Sequence, residues 1–430
     1  MKAGVARRDV TPAVGTVLMG YSPRVSTRVN DNLTVAALAL EDGGTRAIIL
    51  SMTVVLTDEA GTQRIRDAVT AATGVPGEHV TVSCWQNHSG PGTFTCLGLG
   101  VRDEDFCVNI LEPACAEAAA EALASVRDVL LGVEETESLV GMNRRQVTIE
   151  GHVILGQNLY GAHDKTMTAI RFVCADDKKP VANIVHYGAH PTAAGATGDI
   201  TRDWPGVMVD CVEANIGGTT LFLNGATGDV GPRLANGQTT GDIDLMTQIG
   251  HLAGLDAVRA FRKIKTYRQC DLQLFIDDLH VKHRPLATAE HAREQLAKFA
   301  GDDDSRYMSV KAYWQNVLDE HAAGDIKTER ILRQTITRIG DIVIVPFAGE
   351  PFSETVLRLR GHSKYRYTLC ASTTNGFVGY FPTRDALHRG GYEVNAARAF
   401  SVYIPAENID DILIAENIRI MDGAAYCECD

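Results

Sequence analysis

Two short segments carry histidines in settings suited to chemistry: Cys84-Trp85-Gln86-Asn87-His88-Ser89-Gly90-Pro91-Gly92 and Gly188-Ala189-His190-Pro191-Thr192. Each follows an apolar, strand-like run and turns on glycine or proline. Histidine both binds transition metals and moves protons near neutral pH, and such a turn presents it at a sheet edge. Taken singly, His190 reads more readily as a hydrogen-bonded core histidine than as a ligand. Two histidines in equivalent turns match the strand-end clustering of ligands and catalytic groups in α/β enzymes, and predict one shared site. Two more strand-to-turn segments carry carboxylates. Leu221 to Arg233 runs from an apolar strand into a glycine-rich loop holding Asn224, Asp229 and Gly231. That loop lacks the Gly-Lys-Ser/Thr ending of a nucleotide phosphate cradle, so it either carries backbone N–H groups and the Asp229 carboxylate into a cleft or is a plain turn. Glu350, in the turn after Ile342 to Pro346, either joins a mixed His/Glu metal site or caps the helix that follows.

The elements that must position these groups alternate. Thr34 to Leu40, Ala47 to Ser51, His79 to Ser83, Thr168 to Cys174, Val181 to His186, Thr219 to Leu223 and Ile342 to Pro346 read as strands. Asp58 to Thr73, Asp105 to Leu131, Pro205 to Asn215 and Asp242 to Ile264 carry apolar residues at helical spacing, several opening on a capping Asp. The expected class is α/β, with mixed sheets and flanking helices. Between Leu286 and Ala323 the composition turns to Ala, Glu, Lys, Gln and Asp, which predicts a helical hairpin broken at Gly301-Asp302-Asp303-Asp304. No repeat or linker marks a boundary, so residues 1–425 read as one domain containing an insertion at about 286–323, followed by a tail over 426–430.

With 45% hydrophobic and 22% charged residues, the 430-residue chain has ample core material. Its formal charge of -13 and pI near 5.5 argue against nucleic-acid and anionic membrane partners, leaving a small-molecule substrate, with a homo-oligomer left open. Neither a signal-peptide core nor a spanning apolar stretch is present, and a cytoplasmic setting is expected. Ten scattered cysteines fit reduced thiols; the Cys427/Cys429 pair is too sparse for a metal site by itself.

Read together, the segments resemble the catalytic domain of the neutral/alkaline non-lysosomal ceramidase family, zinc-dependent amidases that hydrolyse the N-acyl bond of ceramide. The resemblance spans most of the chain. It rests on Ala3-Gly4-Val5-Ala6 with Asp9-Val10-Thr11-Pro12, Met19-Gly20-Tyr21, His88-Ser89-Gly90-Pro91-Gly92, Asn143-Arg144, His190-Pro191-Thr192, Asp203-Trp204-Pro205-Gly206, Asn224 to Val230, Gly349-Glu350 and the Tyr380 to Tyr392 block. It implies a zinc ion held by two histidines, a glutamate and a tyrosine, of which His190, Glu350 and Tyr380 match three. Two positions depart from the family pattern. Its His-Thr-His-Ser-Gly-Pro motif, with the first histidine on zinc, is here Gln86-Asn87-His88-Ser89-Gly90-Pro91. Gln86 therefore stands at a ligand position: affinity falls, or His88 takes the place, or the metal differs or is absent. The serine proposed as nucleophile in the family's Gly-Asp-Val-Ser-Pro is here Gly231, with Ser89 as a possible substitute. Family members are typically secreted or membrane-associated with a further β-rich domain, whereas this chain ends soon after the helix-like Asn408 to Met421, which disfavours a lipid substrate.

The expectation is a zinc-dependent hydrolase of an amide or related acyl bond in a small polar molecule, with metal-activated water in place of the serine. His190, Glu350, Tyr380 and His88 are the metal candidates; His88, Arg144 and Asp229 the catalytic ones; Gln86, Asn224, Gly231 and Tyr392 the substrate contacts. A metal-assisted lyase or isomerase on the same scaffold, or an inactive binding protein, are the competing expectations.

Overall fold

A computed structural model describes residues 1–96, 99–300 and 308–426. The expected break at Gly301 to Asp304 and the Cys427/Cys429 pair lie outside the described residues. Eight strands form one mixed sheet in the order Thr219–Asn224, Pro180–Tyr187, Thr166–Cys174, Arg127–Glu137, Lys2–Asp9, Thr34–Asp42, Thr45–Met52, Val80–Cys84. Its outer pairs are parallel and its inner ones antiparallel.

Side chains alternate across a strand, so an unbroken apolar run such as Val35 to Leu40 must bury both faces. It does. Val35, Ala37 and Ala39 enter a core with Ile65 and Val69 of helix Glu59–Thr73 and Ala118 of helix Glu112–Ala124. Ala36, Leu38 and Leu40 face a second, four-stranded sheet of Leu272–Lys282, Glu329–Ile339, Ile342–Pro346 and Tyr367–Ala371 through Ile342, Ile344 and Leu369. At the other end of the large sheet, Val185, Tyr187 and Phe222 pack under helices Asp203–Ile216 and Ile243–Lys263. Helices Ser353–His362 and Ile409–Asp422 cover the outer face of the four-stranded sheet. As expected from sequence, Asp58 and Asp242 cap their helices by accepting backbone N–H groups.

The large sheet curls until its two ends meet. Ser51 Oγ donates to the Phe222 carbonyl at 2.7 Å, Trp85 Nε1 donates to Ser51 Oγ at 2.7 Å, and Asn224 Nδ2 donates to the Trp85 carbonyl at 2.8 Å. This closure brings the loop after Val80–Cys84 beside the loops after Pro180–Tyr187 and Thr219–Asn224.

One predicted helix is corrected. The helical pattern assigned to 105–131 ends at Ala124, and Arg127–Glu137 is a strand paired along its length with Thr166–Cys174. Val129 and Leu131 suit either period; long-range pairing, invisible in a local window, decides. Within 286–323 the expected helices are Ala289–Ala297 and Met308–Ala323, which pack through Ala292, Trp314 and Val317 and reach Val402 and Ile404. Among the described residues no helix is long and apolar enough to cross a membrane, and the eight described cysteines form no disulfide.

Candidate active site

The curled sheet delivers His88 and His190 to one place: their ring centroids lie 5.9 Å apart, edge to face. Three glycine contacts make room for this. Gly188 lies so close to the glycine-rich loop that a Cβ there would meet Ala226 backbone at 2.5 Å, and Gly20, at φ +104°, lies against the His88 ring, where a Cβ would come within 2.7 Å. Within the glycine-rich loop, Gly228 lies so close to the Glu350 segment that a Cβ would come within 2.7 Å of the Glu350 carbonyl oxygen, and its N–H donates to the Pro351 carbonyl at 3.2 Å. Asn224 is the framework bolt between the two histidine loops, since its amide oxygen accepts from Ala189 N–H at 3.2 Å while its amide nitrogen donates to Trp85.

His190 is buried, and its Nδ1 lies 3.1 Å from the Val230 carbonyl. With Nδ1 donating to that carbonyl, a neutral imidazole would present a lone pair at Nε2. Nε2 faces Glu350 Oε2 at 3.1 Å, yet Oε2 is buried with no hydrogen-bond donor. Two acceptors this close repel unless a proton or a cation lies between them. Ligand distances of about 2.0–2.2 Å put two donors on a tetrahedral zinc roughly 3.3 Å apart, and an imidazole whose other nitrogen donates to a carbonyl is the usual arrangement of a ligating histidine. On these grounds the pair fits a divalent cation. Among the described residues no three His, Cys, Asp or Glu side chains form a metal-binding group, so further donors must be of other types. Tyr380 pairs with Glu350 across the two-residue bridge Glu350–Pro351 with Tyr380–Phe381. Its phenol is pushed well above its ordinary range by burial and by the Glu350 charge, so it stays protonated without a cation. Gln86 holds a buried amide oxygen with no donor and a backbone at φ +69°; a side-chain-bearing residue held in that region stores about 1–3 kcal/mol of strain, and such positions cluster at functional sites.

Arg144 is enclosed. Nε donates to Glu393 Oε1 at 2.9 Å, and Nη2 donates to the Gly228 carbonyl at 2.8 Å and to the Tyr380 hydroxyl at 3.3 Å. The Tyr392 ring centroid lies 5.8 Å from the guanidinium. Nη1 makes no hydrogen bond among the described residues and remains as the donor for a ligand. Asp229 acts on the loop: Oδ1 accepts from Ser353 N–H and hydroxyl at 2.8 and 2.9 Å, and Oδ2 accepts from Asn143 at 3.1 Å. At Gly231 an added Cβ would meet the Thr239 side chain at 3.1 Å, so a serine there would need Thr239 to give by a few tenths of an ångström. Ser89 Oγ is buried without a partner.

His88 is buried between Tyr21, 5.2 Å away, and His190. Burial first, then the neighbouring His190 ring and the Arg144 guanidinium, hold its pKa down at about 3, so it enters any proton transfer from its neutral form. A histidine depressed on folding contributes stability that is present above about pH 6.5, its unfolded pKa, and lost as pH falls toward 3. The stability gap between wild type and His88→Gln should therefore narrow from pH 8 to pH 5 in urea unfolding; a gap constant across that window would show that His88 is not the depressed group.

Two residues received no role from the sequence. Glu393, adjoining Tyr392, accepts from both Arg144 and Arg145; a buried carboxylate on a short helix leaves no periodic signal. Asp203 collects the N–H groups of Ala193, Ala194 and Trp204 at 3.1, 2.9 and 2.7 Å, with burial raising its pKa to about 6. It thereby fixes the segment after His190, whose carbonyl accepts from Trp204 Nε1 at 3.0 Å.

A curled mixed sheet that carries the two histidine loops, met by the Glu350 and Tyr380 segments that follow the four-stranded sheet, defines a ceramidase-like α/β fold. The chain superposes on the crystal structure of neutral ceramidase from Pseudomonas aeruginosa with a TM-score of 0.71 and 16% identity, covering 100% of this chain and 76% of that one. A ceramidase complexed with C2 gives a TM-score of 0.73 at the same identity and coverage. No protein-family model matches the chain, and no curated protein matches it by sequence. At this identity the likeness is one of fold.

Proposed function

We propose that this chain is a metal-dependent hydrolase that cuts an amide or related acyl bond in a small molecule, on a scaffold like that of the ceramidases. The observation that carries the proposal is the 3.1 Å approach of His190 Nε2 to Glu350 Oε2, a buried oxygen that accepts no hydrogen bond. His190, Glu350 and Tyr380 hold the cation, zinc by expectation, with Gln86 rather than His88 as the fourth donor, since no third His or acidic side chain groups with His190 and Glu350 among the described residues. When bound, such a cation supplies Lewis acidity to a carbonyl and to water. Arg144, steadied by Glu393 and Gly228, offers Nη1 to the carbonyl oxygen as negative charge develops there. Asp229 keeps the glycine-rich loop seated, and neutral His88 borders the same space. With Gly231 in place of a hydroxyl, water supplies the attacking oxygen.

Protein purified without chelator should contain about one divalent transition metal per chain, and its products formed in oxygen-18 water should carry the label. A chain with no bound metal and no activity after zinc or manganese addition would end the proposal. Unlabelled products would assign lyase or isomerase chemistry instead.

A further inference from the structure

A cavity of about 530 Å³ opens between the insertion helix Met308–Ala323 and helix Tyr392–Phe400, walled by Leu99, Tyr313, Trp314, Tyr392, Arg398 and Phe400. That volume falls in the range of about 300–1,000 Å³ common to small-ligand sites, and an aromatic lining with few polar groups is their usual character. Arg398 is the only charged side chain of the lining among the described residues, and it makes no ion pair among them; its guanidinium lies 5.8 Å from the Tyr313 ring centroid. Two wall residues continue into the candidate active site. The Tyr392 ring lies 6.2 Å from Tyr380 and 5.8 Å from the Arg144 guanidinium, and the Phe400 ring lies 6.2 Å from Tyr380.

We propose, resting on the hydrolase function above, that this cavity holds the amine half of the substrate, and that this half carries an aromatic side chain and a carboxylate, as in an N-acyl aromatic amino acid. The ring packs among Tyr313, Trp314 and Phe400, where edge-to-face contacts are favourable, and the carboxylate meets Arg398. The scissile amide is then carried past Tyr392 toward Tyr380 and Arg144. In hydrolysis the C–N bond breaks, water oxygen joins the acyl carbon, and water protons go to the departing amine. The insertion, absent from any direct role in holding the histidines, thus selects the substrate.

Trp314 emission reports the test, because Trp85 and Trp204 are sealed in the core at 2% and 1% exposure. N-acetyl-L-phenylalanine should change the emission saturably, while its carboxamide and N-acetylglycine should bind at least about tenfold more weakly. Arg398→Gln should abolish the difference between acid and carboxamide, and Trp314→Phe should abolish the signal. Equal binding of acid and carboxamide to the wild type, or a response that survives Trp314→Phe, would overturn the assignment. The titration is repeated on Glu350→Gln. A retained response with turnover by neither protein overturns the hydrolase function alone, while turnover of the acid with no emission response overturns the pocket alone.

Discussion

Replacing Glu393 with alanine should lower the unfolding free energy by about 3–5 kcal/mol, the range for removing one partner of a buried ion pair. Glu393 is 1% exposed, and its two oxygens each take one guanidinium: Arg144 Nε at 2.9 Å and Arg145 Nη1 at 2.6 Å. Arg145 also donates to the Gly390 carbonyl at 2.6 Å, which neutralises nothing. Without the carboxylate, two largely buried guanidinium groups lose the anion between them. Because the pairs are desolvated, the loss should change little between low salt and about 1 M salt, unlike that of a surface pair. Glu393→Gln keeps the shape and one acceptor and should fall between alanine and wild type. Urea unfolding at neutral pH measures all three. A loss under about 1 kcal/mol would mean that water or relaxation already compensates the arginines, and Arg144 would then have no fixed orientation from Glu393.

The same cluster illustrates what was legible in the chain. Strand and helix cores, such as Thr34–Asp42 and Glu59–Thr73, announce themselves because burial on one or both faces imposes a period. Arg127–Glu137 did not, since its partner strand begins almost thirty residues beyond it, at Thr166. The histidine turns at 88 and 190 were readable as a pair, but their meeting depends on the curl that Ser51, Trp85, Asn224 and Phe222 close, and curl has no local code. Glu350 was readable from its turn only as a metal ligand or a helix cap, and Tyr380 through the family resemblance alone; that they neighbour each other follows from a two-residue parallel bridge too short to predict. Glu393 and Asp203 were silent because a single buried carboxylate looks the same in sequence as an exposed one.

Gln86 and Gly231, the two departures from the ceramidase pattern, have different physical standing. At Gly231 the surroundings have closed in, with Thr239 within 3.1 Å of any added Cβ, so restoring a serine would require Thr239 to give by a few tenths of an ångström. At Gln86 nothing has closed in: the left-handed backbone persists and the amide oxygen lacks a donor. A strained, unsatisfied position is retained where a ligand or substrate relieves it. Position 231 is thus tight for an added side chain, while the Gln86 amide oxygen is left without a donor.

Glu350→Gln should abolish tight metal binding, weakening it by more than the roughly 10–100-fold that changes outside the ligand shell produce. Its effect on the metal-free protein should be the opposite of Glu393→Ala. A buried carboxylate oxygen with no donor, 3.1 Å from the His190 lone pair, is a burden on the empty fold. A glutamine can turn its N–H toward Nε2, so the metal-free variant should be as stable as metal-free wild type or more stable. Added zinc should then separate them: a ligand that binds only the folded state stabilises it by about 2.7 kcal/mol at a hundredfold excess over Kd, and only the wild type should show that rise in Tm. If the metal-free variant were instead destabilised by several kcal/mol, with zinc raising both proteins equally, Glu350 would be a structural partner of a protonated His190 and the cation would bind elsewhere. The sign of one stability difference, measured with and without metal, therefore decides whether the His190–Glu350 pair shares a cation or a proton.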